Sequence, residues 1–286
     1  MNKIILGTVQ FGLNYGINNH KGKPSETDTF SILDVAYRRG VRKLDTADIY
    51  GNAIDVIGKY HKNHSKFKIL NKFSFSDNNR DIVGKVRSSL KTLRIDSFDT
   101  YSYHSFDDFM TNDNSTDKLV KLKKEKLIKK IGISVYTNQE FDRAINSEIL
   151  DVIQIPYNIL DNENKKEDLI IKAKLKGKEI HARSIFLQGL FFVKEKDIIS
   201  KLRPLLPYLK KIRSFSNKEN MSISELSLMY VVSNPNIDGV LIGVDSVQQL
   251  NNNLDCISYR KVESIKKFVK TLDVRDVELL NPVNWK

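Results

Sequence analysis

Four side chains near the ends of apolar runs are of types that move protons. Asp45 closes the run in KLDTA, and Tyr50 follows five residues later. Lys72 lies near the end of KILNKF, and His104 ends the run in DTYSYHS. A tyrosine phenol titrates near about 10, too high for an efficient acid or base at neutral pH. A neighbouring ammonium is expected to stabilise the phenolate and lower that value. A carboxylate paired with the ammonium would hold it charged and in place, and an imidazole beside the phenol would hydrogen-bond a substrate oxygen. Together these residues make a proton-donating site for carbonyl reduction, with the hydride supplied by a cofactor. Each also has a purely structural use: Asp45 as a helix cap, Tyr50 as a rim aromatic, His104 as a packed strand end. Lys72 resists such a use, because lysine is rarely buried without a partner.

For these residues to meet, the chain must bring several strand ends to one rim. Short apolar, β-rich runs recur at Ile4–Val9, Lys43–Ala47, Phe67–Phe73, Phe98–His104, Lys130–Val135, Val152–Pro156, Glu179–Ile185 and Gly239–Val244. Helical periodicity fills the gaps, as in Ile32, Val35, Ala36 and Arg39, in Val83, Val86, Leu90 and Leu93, and in Leu226, Met229 and Tyr230. Ser25 before Glu26 and Asp28, and Asn138 before Gln139 and Glu140, predict helix starts. Strands alternating with helices imply parallel βαβ units, and eight right-handed crossovers close a (β/α)8 TIM barrel. A doubly wound open sheet would carry G-x-G-x-x-G in its first turn, but GTVQFG has the wrong spacing. The reading is an α/β chain forming one barrel domain over residues 1–286, with 258–286 as a C-terminal helical tail. Active residues in such barrels lie at the C-terminal ends of the strands, where Asp45, Tyr50, Lys72 and His104 would converge.

Composition excludes several other classes. Hydrophobic residues make up 40% and charged residues 29%, as in ordinary globular domains and unlike disordered, collagen-like or disulfide-stapled chains. The single cysteine, Cys256, has no intramolecular partner, and the apolar run near the N-terminus is too short for a secretory core. A reducing, cytoplasmic setting is therefore expected. No stretch approaches the ~20 apolar residues of a membrane helix. The formal net charge of +12 raises the question of a polyanion partner, but the basic residues are dispersed. In the densest cluster, residues 118–130, Leu119, Val120, Leu122, Leu127 and Ile128 fall near helical spacing, which reads as one buried face and one lysine face. Neither a nucleic-acid nor a membrane partner is expected, only a small-molecule substrate. His61 and His64 have a metal-like spacing, but no cysteine or further histidine accompanies them, so no metal site is expected.

With these residues in place, the chain resembles the aldo-keto reductases along nearly its whole length, from LGTVQFG to NPVNWK. LDTADIYG resembles the family's D-T-A-x-x-Y-G signature. The resemblance implies reversible reduction of aldehydes or ketones and a nicotinamide cofactor, NADP(H) or NAD(H), lying across the strand ends. It casts Tyr50 as general acid, Lys72 and Asp45 as the pair that tunes it, and His104 as the group orienting the carbonyl. Phe73, Phe106 and Tyr136, expected to be exposed, would wall the pocket. GISVYT resembles the segment after the fifth strand, which implies that Ser134 and the sixth-strand Gln154 meet the carboxamide. Arg183 stands where many members carry a stacking aromatic, and Ser184 follows it. Gly7, Thr8 and Asp45 fall on the cofactor side, with Phe186, Gln188 and Gly189 along the pyrophosphate. IGVDSVQQLNNNL resembles the adenosine segment, implying roles for Gly243, Ser246, Gln249, Asn252 and Asn253. Asp245 precedes that serine and would repel a 2′-phosphate, unless it caps the next helix. Asn14, Tyr15, Tyr157 and Asn158, on predicted rim loops, suit a polyhydroxylated ligand such as a sugar or nucleotide-sugar. The alternative is an accessory subunit that binds the nicotinamide and turns over little.

Overall fold

A computed structural model describes residues 3–17, 19, 21–64, 66–75, 81–111, 114–258 and 261–285. Every strand expected from the apolar runs is present: β1 (Ile4–Gly7), β2 (Lys43–Asp45), β3 (Lys68–Phe73), β4 (Thr100–Tyr103), β5 (Ile131–Ser134), β6 (Val152–Pro156), β7 (Glu179–Arg183) and β8 (Gly239–Gly243). Neighbouring strands pair in parallel, and β8 returns to β1 with Gly243 opposite Gly7, closing the barrel. Gly7 in turn lies opposite Asp45, and Ser134 opposite Gln154, so the C-terminal ends of the strands share one rim.

The period of two sorts the strand residues between the two faces. On β3, Lys72 shares a face with Leu70, and Phe73 shares the other with Ile69. Gln154 on β6 reaches Asp45 on β2 with a 3.0 Å hydrogen bond, and strands that distant in the order meet only inside the barrel. The face of Asp45, Lys72 and Gln154 is therefore the interior, and Phe73 points outward to the helices. There it stacks on Tyr101, with centroids 5.3 Å apart. At the opposite end of the interior Glu179 pairs with Lys43 and Lys130 and is hydrogen-bonded to the His181 ring.

The helices begin and end where local chemistry permits. Ser25 accepts from the Asp28 N–H at 3.1 Å and opens the helix Glu26–Arg38 as expected. The second expected start lies one residue earlier: Thr137, not Asn138, caps Asn138–Ile145, because Thr137 and Glu140 complete a reciprocal capping box. The lysine-rich helix is shorter than its spacing suggested. It spans Ser115–Lys124, Lys126 turns with φ 62°, and Ile128 bridges to Phe98, so Leu127 and Ile128 lead into β5 rather than extending the helix. The tail forms a helix, Val262–Lys270, and two short 3-10 turns, Val277–Leu280 and Pro282–Trp285. Residues 259, 260 and 286 of the expected tail lie outside the described residues. Asn162, after β6, ties the tail helix to the barrel by donating to the Val269 and Leu272 carbonyls at 3.2 and 2.9 Å. Among the described residues no helix is long and apolar enough to cross a membrane.

Candidate active site

Asp45 and Lys72 form the fixed centre of the rim. The Lys72 ammonium lies 2.5 Å from Asp45 Oδ1 and also donates to the Thr46 carbonyl at 3.1 Å. Gln154 holds the other carboxylate oxygen, and both members of the ion pair are 3% exposed. Tyr50 reaches this pair from the loop after β2. Its carbonyl is crossed so closely by Gly12 that a Cβ there would lie 1.7 Å from the Tyr50 oxygen, so only glycine lets the two loops pass. Gly51, with φ 55°, then turns the chain into the next helix. His104 follows β4 and is fixed by its backbone N–H, which donates to the Phe73 carbonyl at 2.9 Å. The Tyr50 and His104 rings meet edge to face at 5.8 Å, and the Lys72 ammonium lies 5.4 Å from the centre of the Tyr50 ring.

The electrostatics differ from expectation at the tyrosine. Desolvation, followed by Asp45 and Tyr15, pushes the Tyr50 phenol well above its usual range, although Arg183 opposes this. Lys72 was expected to lower it. Instead the ammonium is committed to Asp45, and its own pKa is lowered because burial outweighs that pairing. His104 is pulled down to about 3 by burial and then by Lys72 and Arg183. Its Nδ1 is buried with no hydrogen-bond partner. The rim thus holds a protonated phenol beside a neutral imidazole at neutral pH.

The expected pocket walls divide. Phe73 is fully buried on the outer face of β3 and lines no pocket, because it alternates with Lys72. Phe106, expected to be exposed, is buried in the first turn of a short helix, with the Arg143 guanidinium 4.8 Å from its ring centre. Tyr136 is half-buried and lies under the Arg183 guanidinium at 4.2 Å. Tyr157 and Asn158 are also withdrawn from the rim. The Tyr157 hydroxyl pairs with that of Tyr230 at 2.9 Å, and Asn158 donates to the Ser184 carbonyl while capping Leu160 and Asp161. Asn14 and Tyr15 remain exposed, and the Tyr15 hydroxyl accepts from Gln188 at 2.9 Å. His61 bonds the backbone of Leu93 and Phe67 through its two ring nitrogens, and no metal-holding cluster exists among the described residues.

On the expected cofactor side, Ser134, Gln154 and Arg183 end or approach the ends of β5, β6 and β7. Arg183 donates to the Val135 carbonyl at 3.0 Å and to the Ser184 hydroxyl at 3.2 Å. Beyond it Ser184, Gln188 and Gly189 take positive φ values of 59°, 53° and 91°, and Phe186 packs on Phe192. The Gln188 carbonyl accepts from Ile17, joining the loops after β1 and β7. Thr8 is fully buried, with its hydroxyl donating to the Asp45 carbonyl at 3.0 Å, so its side chain positions β2. Ser246 caps the helix Val247–Asp255 by accepting from Gln249. Asp245 is therefore not the cap. Its backbone N–H donates to Gln249 Oε1 at 3.1 Å, and its Oδ1 is buried without a partner. Asn253 is buried and Asn252 exposed. Gln10 escaped the sequence reading because nothing in its spacing marks it. A Cβ on Gly243 would lie 2.5 Å from its amide, and its Oε1 is a second buried, unpartnered acceptor in this sector.

The chain is a closed parallel (β/α)8 barrel whose Asp45, Lys72 and Gln154 meet inside it, toward the C-terminal ends of the strands. The chain belongs to the aldo/keto reductase family, whose model matches residues 3–273. It is accordingly an oxidoreductase of a family that generally uses nicotinamide cofactors. It is 24% identical over 277 residues to an aldo-keto reductase of Strobilurus tenacellus, spanning 87% of this chain and 82% of the relative. It is 25% identical over 263 residues to the uncharacterized oxidoreductase YqkF of Bacillus subtilis, spanning 82% and 85%. In fold it is similar to an aldo-keto reductase from Bacillus halodurans in its holo form, with a TM-score of 0.76, 21% identity and coverage of 96% and 94%. It is also similar in fold to the glycerol dehydrogenase of Gluconobacter oxydans, with a TM-score of 0.76, 19% identity and coverage of 99% and 94%.

Proposed function

We infer that the protein is an NAD(P)H-dependent reductase of an aldehyde or ketone, reversible, with Tyr50 as general acid. The observation that carries this is the meeting of Tyr50, His104 and the Lys72–Asp45 pair on one rim. A phenol held protonated is a poor acid toward water but an adequate one toward a nascent alkoxide, which is more basic than any phenolate. His104, neutral, offers a hydrogen bond to the carbonyl oxygen without competing as the proton source. The Arg183 guanidinium, which opposes the rise in the Tyr50 pKa, favours the phenolate left after transfer, while Asp45 with Gln154 keeps the Lys72 ammonium in place beside the ring.

The nicotinamide cofactor, when bound, supplies the hydride. Ser134 and Gln154 would hold its nicotinamide end, Gln188 and Gly189 its pyrophosphate, and the β1 and β8 sector its adenosine. That sector fits the group: the orphaned acceptors Gln10 Oε1 and Asp245 Oδ1 suit hydroxyl donors such as those of a ribose. They suit a 2′-phosphate poorly, so NADH is the favoured form. The accessory-subunit reading has no observation in its favour. A polyhydroxylated substrate loses the support of Tyr157 and Asn158, which are buried away from the rim. A cytoplasmic setting, where reduced nicotinamides and a free Cys256 both persist, suits this reading. Turnover of a panel of short aldehydes, followed by loss of reduced nicotinamide, tests it. Oxidation of NADH or NADPH dependent on a carbonyl compound supports the reading. Cofactor binding with no turnover of any panel member would overturn it.

A further inference from the structure

Arg183 has no ion-pair partner among the described residues: Asp45 is committed to Lys72 and Gln154, and Asp161 to Lys166. One side chain hydrogen bond goes to a neutral carbonyl and one to a neutral hydroxyl, and Nε is buried with no partner. A guanidinium presents a planar fork of five donors that matches a carboxylate edge, so this one retains unused donor capacity. It acts on the reacting groups themselves: its charge reaches Tyr50, Lys72 and His104. Tyr136 backs one face of the guanidinium and fixes its plane. Tyr15 lies close enough to feel the same charge, and its hydroxyl accepts from Gln188, which leaves its own proton free to donate.

We propose that Arg183, assisted by Tyr15, recognises a carboxylate on the carbonyl substrate, so that the enzyme reduces short oxo acids to hydroxy acids. This rests on the reductase reading above. The carboxylate is a handle and is unchanged by the reaction. The carbonyl gains a hydride at carbon and the Tyr50 proton at oxygen, while the nicotinamide cofactor is oxidised. The same donors would also suit a phosphate of the cofactor, and the test separates the two anions.

Matched pairs are compared by kcat/KM: glyoxylate against glycolaldehyde, and pyruvate against hydroxyacetone. Each pair differs in charge at similar size, and their ratio cancels any effect on the cofactor. The wild type should favour the carboxylate member by about 10- to 100-fold, the discrimination given by a charge-assisted hydrogen bond. Arg183→Gln should bring the ratio close to one, and Arg183→Lys should restore part of it. A wild-type ratio near one, or an undiminished ratio in Arg183→Gln, would overturn the proposal. Loss of NADH affinity in Arg183→Gln with an unchanged ratio would assign the guanidinium to the cofactor instead. If no carbonyl compound is turned over, the reductase reading fails separately. Calorimetric titration of the protein with oxalate then still decides the anion site: binding lost in Arg183→Gln supports it, and no wild-type binding sinks it.

Discussion

His104→Gln should remove a specific acid sensitivity from the fold. In the folded protein, burial with Lys72 and Arg183 holds the imidazole at about 3, against an ordinary value of 6.5. In the unfolded chain it takes up a proton as the pH falls below about 6.5. Between those values the unfolded state binds more protons, so stability falls as pH is lowered through that window. At about pH 4.5 the folded imidazole is still neutral, while the unfolded one lies about two pH units below its pKa. At about 1.36 kcal/mol per unit this costs the wild type about 2.7 kcal/mol relative to neutral pH. Glutamine carries no such cost. The variant loses the ring contact with Tyr50 and should be the less stable protein at neutral pH, with the gap narrowing by roughly 2–3 kcal/mol at about pH 4.5. Urea denaturation followed by circular dichroism at both pH values measures this. A difference between the two proteins that stays constant within about 0.5 kcal/mol would refute the neutral, charge-hemmed imidazole.

Tyr50→Phe should lose on the order of 10²–10⁴ in turnover while keeping its cofactor Kd, since only the proton donor is removed; turnover and fluorescence titration check both halves. Lys72→Met strands the buried Asp45 carboxylate with only Gln154, at a cost of roughly 3–5 kcal/mol in unfolding free energy. The double variant Asp45→Asn, Lys72→Met should recover most of that loss, and a double variant no more stable than the single one would deny the pair its coupling. Asp245→Ser should raise the ratio of NADPH to NADH affinity, because it removes a carboxylate oxygen that would repel a 2′-phosphate; equal ratios before and after would place Asp245 away from the cofactor.

The barrel was legible because each strand is a short apolar run and each crossover a helical repeat, signals that depend only on local periodicity. The pairing of Lys72 with Asp45 was legible for a similar reason: a lysine inside an apolar run needs a counterion, and Asp45 ends the neighbouring strand. The state of Tyr50 was not. Which groups share an ammonium, and how far a phenol is desolvated, are set by three-dimensional neighbours such as Tyr15 and Arg183. Phe73 shows the limit of listing aromatics near a site, since one step along a strand exchanges interior for exterior. Tyr157 and Asn158 show the same limit for loops, where a polar residue is as readily spent on capping the chain as on binding a ligand. The start at Thr137 was within reach, because the threonine and Glu140 stand in the capping-box spacing. Arg183 was visible as a departure from the family pattern, but its lack of an ion-pair partner among the described residues emerges only when Asp45 and Asp161 are seen paired with Lys72 and Lys166.

The central claim, that this rim moves a hydride and the Tyr50 proton onto a carbonyl, is tested most directly by isotope transfer. The protein is incubated with a carbonyl compound and nicotinamide cofactor carrying deuterium at the transferable position, and the alcohol product is analysed by mass spectrometry. Deuterium should appear on the former carbonyl carbon with the wild type and fall by at least about 100-fold in rate with Tyr50→Phe. Undiminished label with Tyr50→Phe, or none from wild-type protein that is folded and binds the cofactor, would contradict the account.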